Sequence, residues 1–143
     1  STDNAMNHGL FSMKKAEEIC QKYIEELLIK TPSDQQKAKF LSGGNQQKVV
    51  VAKWLNCEPE IIILDEPTRG IDVNAKQQIF QIMWDQSRKG VSSIFVSSEL
   101  EELVEVCHRI LIMYMGKVVG EVKLDDKLTI DTLYSYCMGG KTE

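Results

Sequence analysis

The chain has 143 residues, 43% hydrophobic and 27% charged, which describes one soluble domain or a large part of one, with enough apolar side chains for a single core. Its formal net charge of -4 argues against a nucleic-acid binder working through bulk charge, so no nucleic-acid partner is expected. No apolar run approaches the roughly 18 residues of a membrane span, and the polar N-terminus shows no apolar signal region. Cys20, Cys57, Cys107 and Cys137 are widely spaced without a Cys-x-x-Cys pair, and only His8 and His108 accompany them. A zinc site is therefore not expected, and reduced thiols of a cytoplasmic protein are.

Ser1 to Ala5 are small and polar, and residues 1–6 read as an added, unstructured leader. Ala16, Ile19, Cys20, Tyr23, Ile24, Leu27 and Leu28 recur at the spacing of one helical face, with Ser12 as N-cap and Thr31-Pro32 as the stop. Residues 33–41 read as a polar loop. Ser42-Gly43-Gly44 opens a second helix to about Leu55, broken by Glu58-Pro59. Ile61 to Leu64 is a continuous apolar run, expected as a strand buried on both faces of a parallel sheet. Asn74 to Arg88 suits a helix with Ile79, Ile82 and Met83 inward, ending at Gly90. Ser93 to Ser97 reads as a short strand, and Glu99 to Cys107 as a short helix with Leu100, Leu103, Val104 and Cys107 on one face. Arg109–Met115 and Lys117–Val122 form a hairpin about Met115-Gly116. Thr129 caps a last helix through Met138, which Gly139-Gly140 ends. Strands alternating with helices predict an α/β fold, a mostly parallel sheet flanked by helices.

Two stretches carry chemistry. Asp65-Glu66 sit at the carboxyl end of an apolar strand, where ligands bind in open α/β sheets. Phosphoryl transfer needs a carboxylate there for Mg2+, usually through water, and a second group to orient the attacking water. Asp65 suits the first role and Glu66 the second; the plainer reading is an acid pair that ends a strand before a proline turn. In Leu41-Ser42-Gly43-Gly44, a hydroxyl and two glycines lie at a helix start. Glycines let backbone N–H groups approach an anion, and the helix N-terminus adds partial positive charge. Here the plainer reading is a serine N-cap beside a flexible turn.

Taken together, the two stretches resemble the ATP-binding-cassette family. Leu41-Ser42-Gly43-Gly44 stands as its signature motif, Ile61 to Glu66 as its Walker B motif and Gly70-Ile71-Asp72 as its D-loop. Asn45 to Leu55 and Asp65 to Val73, above all Asn45 and Thr68-Arg69-Gly70-Ile71-Asp72, are similar to the second nucleotide-binding half of the ribose/galactose-type sugar importers. The resemblance covers about residues 10 to 122. It implies part of a P-loop NTPase fold with the tail of a helical subdomain over 7–41, a catalytic core over 42–122, and a closing helix and tail over 123–143.

The resemblance also implies ATP and Mg2+ as cofactors. Ser42, Gly43, Gly44, Asn45, Asp72 and Ser98 would bind the nucleotide, Asp65 the metal through water, and Glu66 would be catalytic. It further implies a second nucleotide-binding half on the same polypeptide, membrane permease subunits as partners, and a peripheral place on the cytoplasmic face of the membrane. The sequence contains no Gly-x-x-x-x-Gly-Lys-Ser/Thr; the tail Gly140-Lys141-Thr142 does not qualify, because its first glycine would have to be Ser135. The segment alone is thus expected to be inactive. Where cassettes place a switch histidine, this chain has Ser98, which cannot supply an imidazolium charge; the plainer reading, and the favoured one, is that Ser98 and Glu99 are the N-cap and first turn of the next helix. That substitution implies asymmetry: this half completes the partner half's site and hydrolyses poorly at its own. Another cassette-type ATPase head, or a non-catalytic docking or regulatory module built on a cassette, are the competing readings.

Overall fold

A computed structural model describes residues 6–7, 10–123 and 130–137. Thr129 and Met138 to Gly140, expected to bound the last helix, lie outside the described residues, as does Gly140-Lys141-Thr142. The chain divides into two compact units, 1–94 and 95–143.

In the first unit, β1 (Met6–Asn7) pairs antiparallel with β2 (Leu10–Phe11). Helix α1 (Met13–Glu26) starts at Ser12, whose hydroxyl accepts the Lys15 N–H at 3.3 Å, as expected of an N-cap. It stops before Pro32 has any influence. Ile29 N–H bonds the Ile24 carbonyl at 2.9 Å and Leu28 N–H bonds that of Glu25 at 3.2 Å, with Leu28 left-handed at φ 52°. This is a Schellman closure with leucine where glycine is usual, and so the expected helical Leu28 is a cap residue instead. The 33–41 loop contains a 3-10 turn, Ala38–Phe40.

Helix α2 (Gly43–Leu55), strand β3 (Ile61–Asp65) and helix α3 (Val73–Arg88) follow at the expected places. Val49, Val50 and Val51 disfavour helix slightly, yet α2 buries Gly44, Lys48, Val51, Ala52 and Leu55 along one stripe, and burial outweighs propensity. Strand β3 departs from expectation. It is not buried on both faces: Ile62 and Leu64 are buried, while Ile61 and Ile63 are 61% and 67% exposed. A run of four apolar residues carries no alternation to reveal which face is covered. Helix α3 buries Ala75, Ile79, Phe80, Ile82 and Met83, and Gly90 follows it at φ 91°. Strand β4 (Ser92–Val96) pairs with β3 in a small parallel sheet, and the Ser92 N–H bonds the Glu60 carbonyl at 2.9 Å.

The second unit contains α4 (Leu100–Val106), β5 (Arg109–Tyr114), β6 (Lys117–Lys123) and α5 (Ile130–Cys137). Strands β5 and β6 form the expected antiparallel hairpin, closed by Met115 and Gly116 at φ 46° and 75°. Ile110, Ile112 and Leu133 form its core, with Leu100, Leu103, Val104 and Cys107 packed against it, so the expected face of α4 is the buried one. Burial also raises the Cys107 thiol above its ordinary pKa. All four cysteines are free thiols.

Candidate functional site

Ser42 occupies the N-cap position of α2 in an extended conformation, but its side chain makes no cap hydrogen bond. The plain capping reading of that serine is therefore not the one realised. Its carbonyl accepts the Gln46 N–H at 2.9 Å, so the helix begins without help from the hydroxyl. Ser42 and Gly43 are both exposed.

The two glycines differ. A Cβ on Gly43 would meet only Ile71 Cγ2 at 3.7 Å and the Gly70 carbonyl at 3.8 Å, which is ordinary contact. A Cβ on Gly44 would lie 2.4 Å from Ala75 Cβ, a clash that α2 and α3 cannot accommodate in place. Gly44 is thus required by helix packing, a role that the phosphate-approach reading missed. A side chain at Gly43 would touch the Gly70–Ile71 turn without a clash.

Asn45 holds Ser42 from the first turn of α2. Its Nδ2 donates to Ser42 Oγ at 2.8 Å, while its Oδ1 accepts the Lys30 N–H at 2.9 Å. One turn further on, the buried Lys48 Nζ donates to the Leu28 carbonyl at 2.7 Å. Burial, and secondarily Lys30, lowers the pKa of this ammonium below the ordinary lysine value. Sequence reading assigned Lys48 no place. Its position on the stripe of Gly44, Val51, Ala52 and Leu55 is the signal that could have found it.

Asp65 ends β3 and is exposed; Glu66 follows, partly exposed, at φ 47°. A left-handed glutamate is an uncommon conformation, of the kind that concentrates at functional sites. The turn continues through buried Pro67 and Thr68, with the Arg69 N–H on the Glu66 carbonyl at 3.2 Å and Gly70 at φ 75°. It delivers Asp72 to the N-cap of α3, where Oδ1 accepts the Ala75 N–H at 2.9 Å. Asp65 and Glu66 lie at the strand's carboxyl end, as expected. Among the described residues no cluster of three or more His, Cys, Asp or Glu could hold a metal ion unaided.

Ser98 belongs to the second unit, exposed between β4 and α4. Glu99, not Ser98, is the N-cap residue of α4. The neighbouring Ser97 hydroxyl donates to Glu102 Oε2 at 2.8 Å and accepts the Glu99 N–H at 3.0 Å. Glu102 is buried, which the apolar pattern of that helix gave no reason to expect. His108 is exposed. A largely apolar cavity of about 280 Å³ opens between α1, the following loop and α2, lined by Tyr23, Ile24, Ile29, Leu41 and Ala52 among others. None of the candidate phosphate-facing residues lines it.

The fold that holds the glycine turn and the acid pair is that of an ABC cassette. A family profile described as ABC transporter matches residues 2–69. The chain is similar, with a TM-score of 0.72 and 25% identity over 83% of its length and 51% of the other chain, to the dimeric bacterial ABC transporter cassette MJ0796. It belongs to the ABC transporter ATP-binding family. Within that family it is 44% identical over 132 residues to the ribose import ATP-binding protein RbsA of Shouchella clausii, 92% of this chain and 26% of that protein. It is 46% identical over 122 residues to the arabinose import ATP-binding protein AraG 1 of Burkholderia thailandensis, covering 83% and 24% respectively. The chain thus spans about a quarter of the length of these relatives.

Proposed function

We propose that this chain is part of the ATP-hydrolysing subunit of a ribose/galactose-type sugar importer and supplies the signature turn to an ATP site shared between two nucleotide-binding halves. The observation that carries the reading is the start of α2. It is a helix N-terminus whose serine is left unused as a cap and whose first glycine is exposed, in a chain 44% identical to a ribose import ATP-binding protein. Ser42, Gly43 and Gly44 face the terminal phosphate of an ATP held by the other half, with Asn45 beside them. N–H groups and the helix dipole favour that negative charge. Asp72 signals across the interface by moving the start of α3, since its carboxylate is bonded into that helix.

In the half's own site Asp65 holds Mg2+ through water, and Glu66 orients the attacking water. Ser98 takes the switch position with one hydrogen bond and no cationic charge, and so this site turns over slowly. The polypeptide works with membrane permease subunits at the cytoplasmic face of the membrane. No helix among the described residues is long and apolar enough to cross the bilayer itself.

Two experiments test this. In the full-length polypeptide, Ser42→Arg abolishes ATP turnover while Glu66→Gln retains a substantial share of it; the reverse result would show the asymmetry to be wrong. The segment alone lacks a phosphate cradle and forgoes the large rate contribution of positioning, about 7–11 kcal/mol in the best cases. Titrated with Mg-ATP in a calorimeter it gives no binding heat, and micromolar affinity would refute that.

A further inference from the structure

The carboxamide of Asn45 has only one possible orientation. The Lys30 backbone N–H, 2.9 Å away, can only donate, so the amide oxygen must face it. The planar group then turns its NH2 toward Ser42 Oγ at 2.8 Å, and an NH2 can only donate. Ser42 Oγ is therefore an acceptor toward Asn45, and its own proton must point elsewhere. The first-turn backbone groups of α2 that lie free beside it are N–H donors and cannot accept that proton, and no cap bond ties the oxygen to them. Ser42 is exposed, so the proton is presented outward from the helix start.

The segment that fixes this orientation is itself fixed. Lys30 follows the Schellman closure at Leu28 and the buried Ile29. The Leu28 carbonyl is gripped by the buried Lys48 ammonium one turn along the same helix. Asn45 and Lys48 together brace α2 against the 28–30 segment.

We infer that Asn45 is a positioning residue that acts through Ser42, setting the serine hydroxyl as a committed proton donor toward an incoming phosphate oxygen. This rests on the proposed reading that Ser42 meets phosphate, and it changes the part given to Asn45: the amide orients the donor and does not itself bind the nucleotide. An aspartate at 45 would keep the acceptor for Lys30 but would take the Ser42 proton inward, reversing the polarity of the pair.

A double-mutant cycle in the full-length protein, read as steady-state kcat for ATP, isolates this coupling. Ser42→Ala and Asn45→Ala each lower kcat about tenfold, the scale of one hydrogen bond to a charged group. In the Ser42→Ala background, Asn45→Ala lowers it by less than about threefold, because the group it orients is gone. Equal losses in both backgrounds would overturn the inference and leave the wider reading intact, since Asn45 would then act through folding or through its own nucleotide contact. An unchanged kcat in Ser42→Ala alone would sink the reading and the inference with it. Should Asn45→Ala fail to fold, Asn45→Asp in the same cycle retains the Lys30 bond. It must lose more in the presence of Ser42 than in its absence, and equal losses again overturn the inference.

Discussion

Helix α2 begins at a serine whose hydroxyl makes no cap, whereas helix α3, in the same unit, begins at an aspartate whose carboxylate bonds the Ala75 N–H. Both segments carry an N-cap residue by sequence, and both are entered in extended backbone. The difference is what the capping atom does. In α3 the positive end of the helix is answered from within the chain by a carboxylate, the most favourable group for that place. In α2 the side chain is turned toward Asn45 instead, and in the proposed reading the N-terminus receives an anion from outside. A helix start completed internally is a structural joint; one left incomplete is available as a binding site. The glycines follow the same division, since Gly44 serves the joint with α3 and Gly43 serves the open side.

The largest expected effect tests that division within α2. Gly44→Ala puts a Cβ against Ala75 and destabilises the chain by about 1–3 kcal/mol, the usual scale of overpacking, seen as a lowered urea midpoint. Gly43→Ala meets no such contact and leaves stability unchanged or raises it by up to about 1 kcal/mol. In the full-length protein the proposed reading expects the ranking to change, because Gly43→Ala adds a side chain at the helix start proposed to meet phosphate and lowers turnover. If both alanines destabilised equally, the assignment of one glycine to packing and the other to binding would be broken.

The next effect compares the two N-cap positions directly. Asp72→Ala removes a cap in use and costs about 1 kcal/mol in thermal or urea unfolding. Ser42→Ala removes a hydroxyl that caps nothing but accepts one exposed hydrogen bond from Asn45, and costs less, about 0.5 kcal/mol. Equal losses would mean that the α2 terminus depends on its serine and is not open.

Much of the frame behind these tests was legible in the sequence. The 3.6-residue stripe of α1, the break at Pro59, the strand before Asp65-Glu66 and the Met115-Gly116 hairpin all follow from pattern and turn chemistry, and the acid pair was found at the strand end where it lies. What was not legible has particular causes. Leu28 takes the left-handed cap that usually announces itself as glycine, so the end of α1 carried no signal. The run Ile61 to Leu64 has no alternation, and only coordinates distinguish its covered face from its bare one. Lys48 and Glu102 are charged residues that are buried, each with a polar partner supplied by a different segment, which local pattern does not reveal. The orientation of Asn45 depends on a backbone N–H fifteen residues away.

The smallest effect concerns the buried faces of the same two helices. That of α3 is apolar throughout, whereas that of α2 includes Lys48. Burial lowers the Lys48 pKa in the folded chain, so between that value and the ordinary lysine value the unfolded chain binds the extra proton. Rising pH across this window therefore favours the folded state, the sign expected of a cation held at a loss. Tyr23 and Cys107 act in the opposite sense. Burial, then Glu26, Glu58 and Cys57, raises the tyrosine, and burial raises the thiol; each folded group keeps its proton longer, so alkaline pH favours unfolding. Lys48→Met keeps the length of the side chain and removes the charge, while Tyr23 and Cys107 are common to both proteins. The difference in unfolding free energy, wild type minus Lys48→Met, followed from neutral pH to about 10.4, should therefore climb in favour of the wild type. A flat difference would show that the ammonium keeps its solution affinity for protons. The bond to the Leu28 carbonyl would then compensate fully for burial, and α2 would be as well satisfied on its inner face as α3.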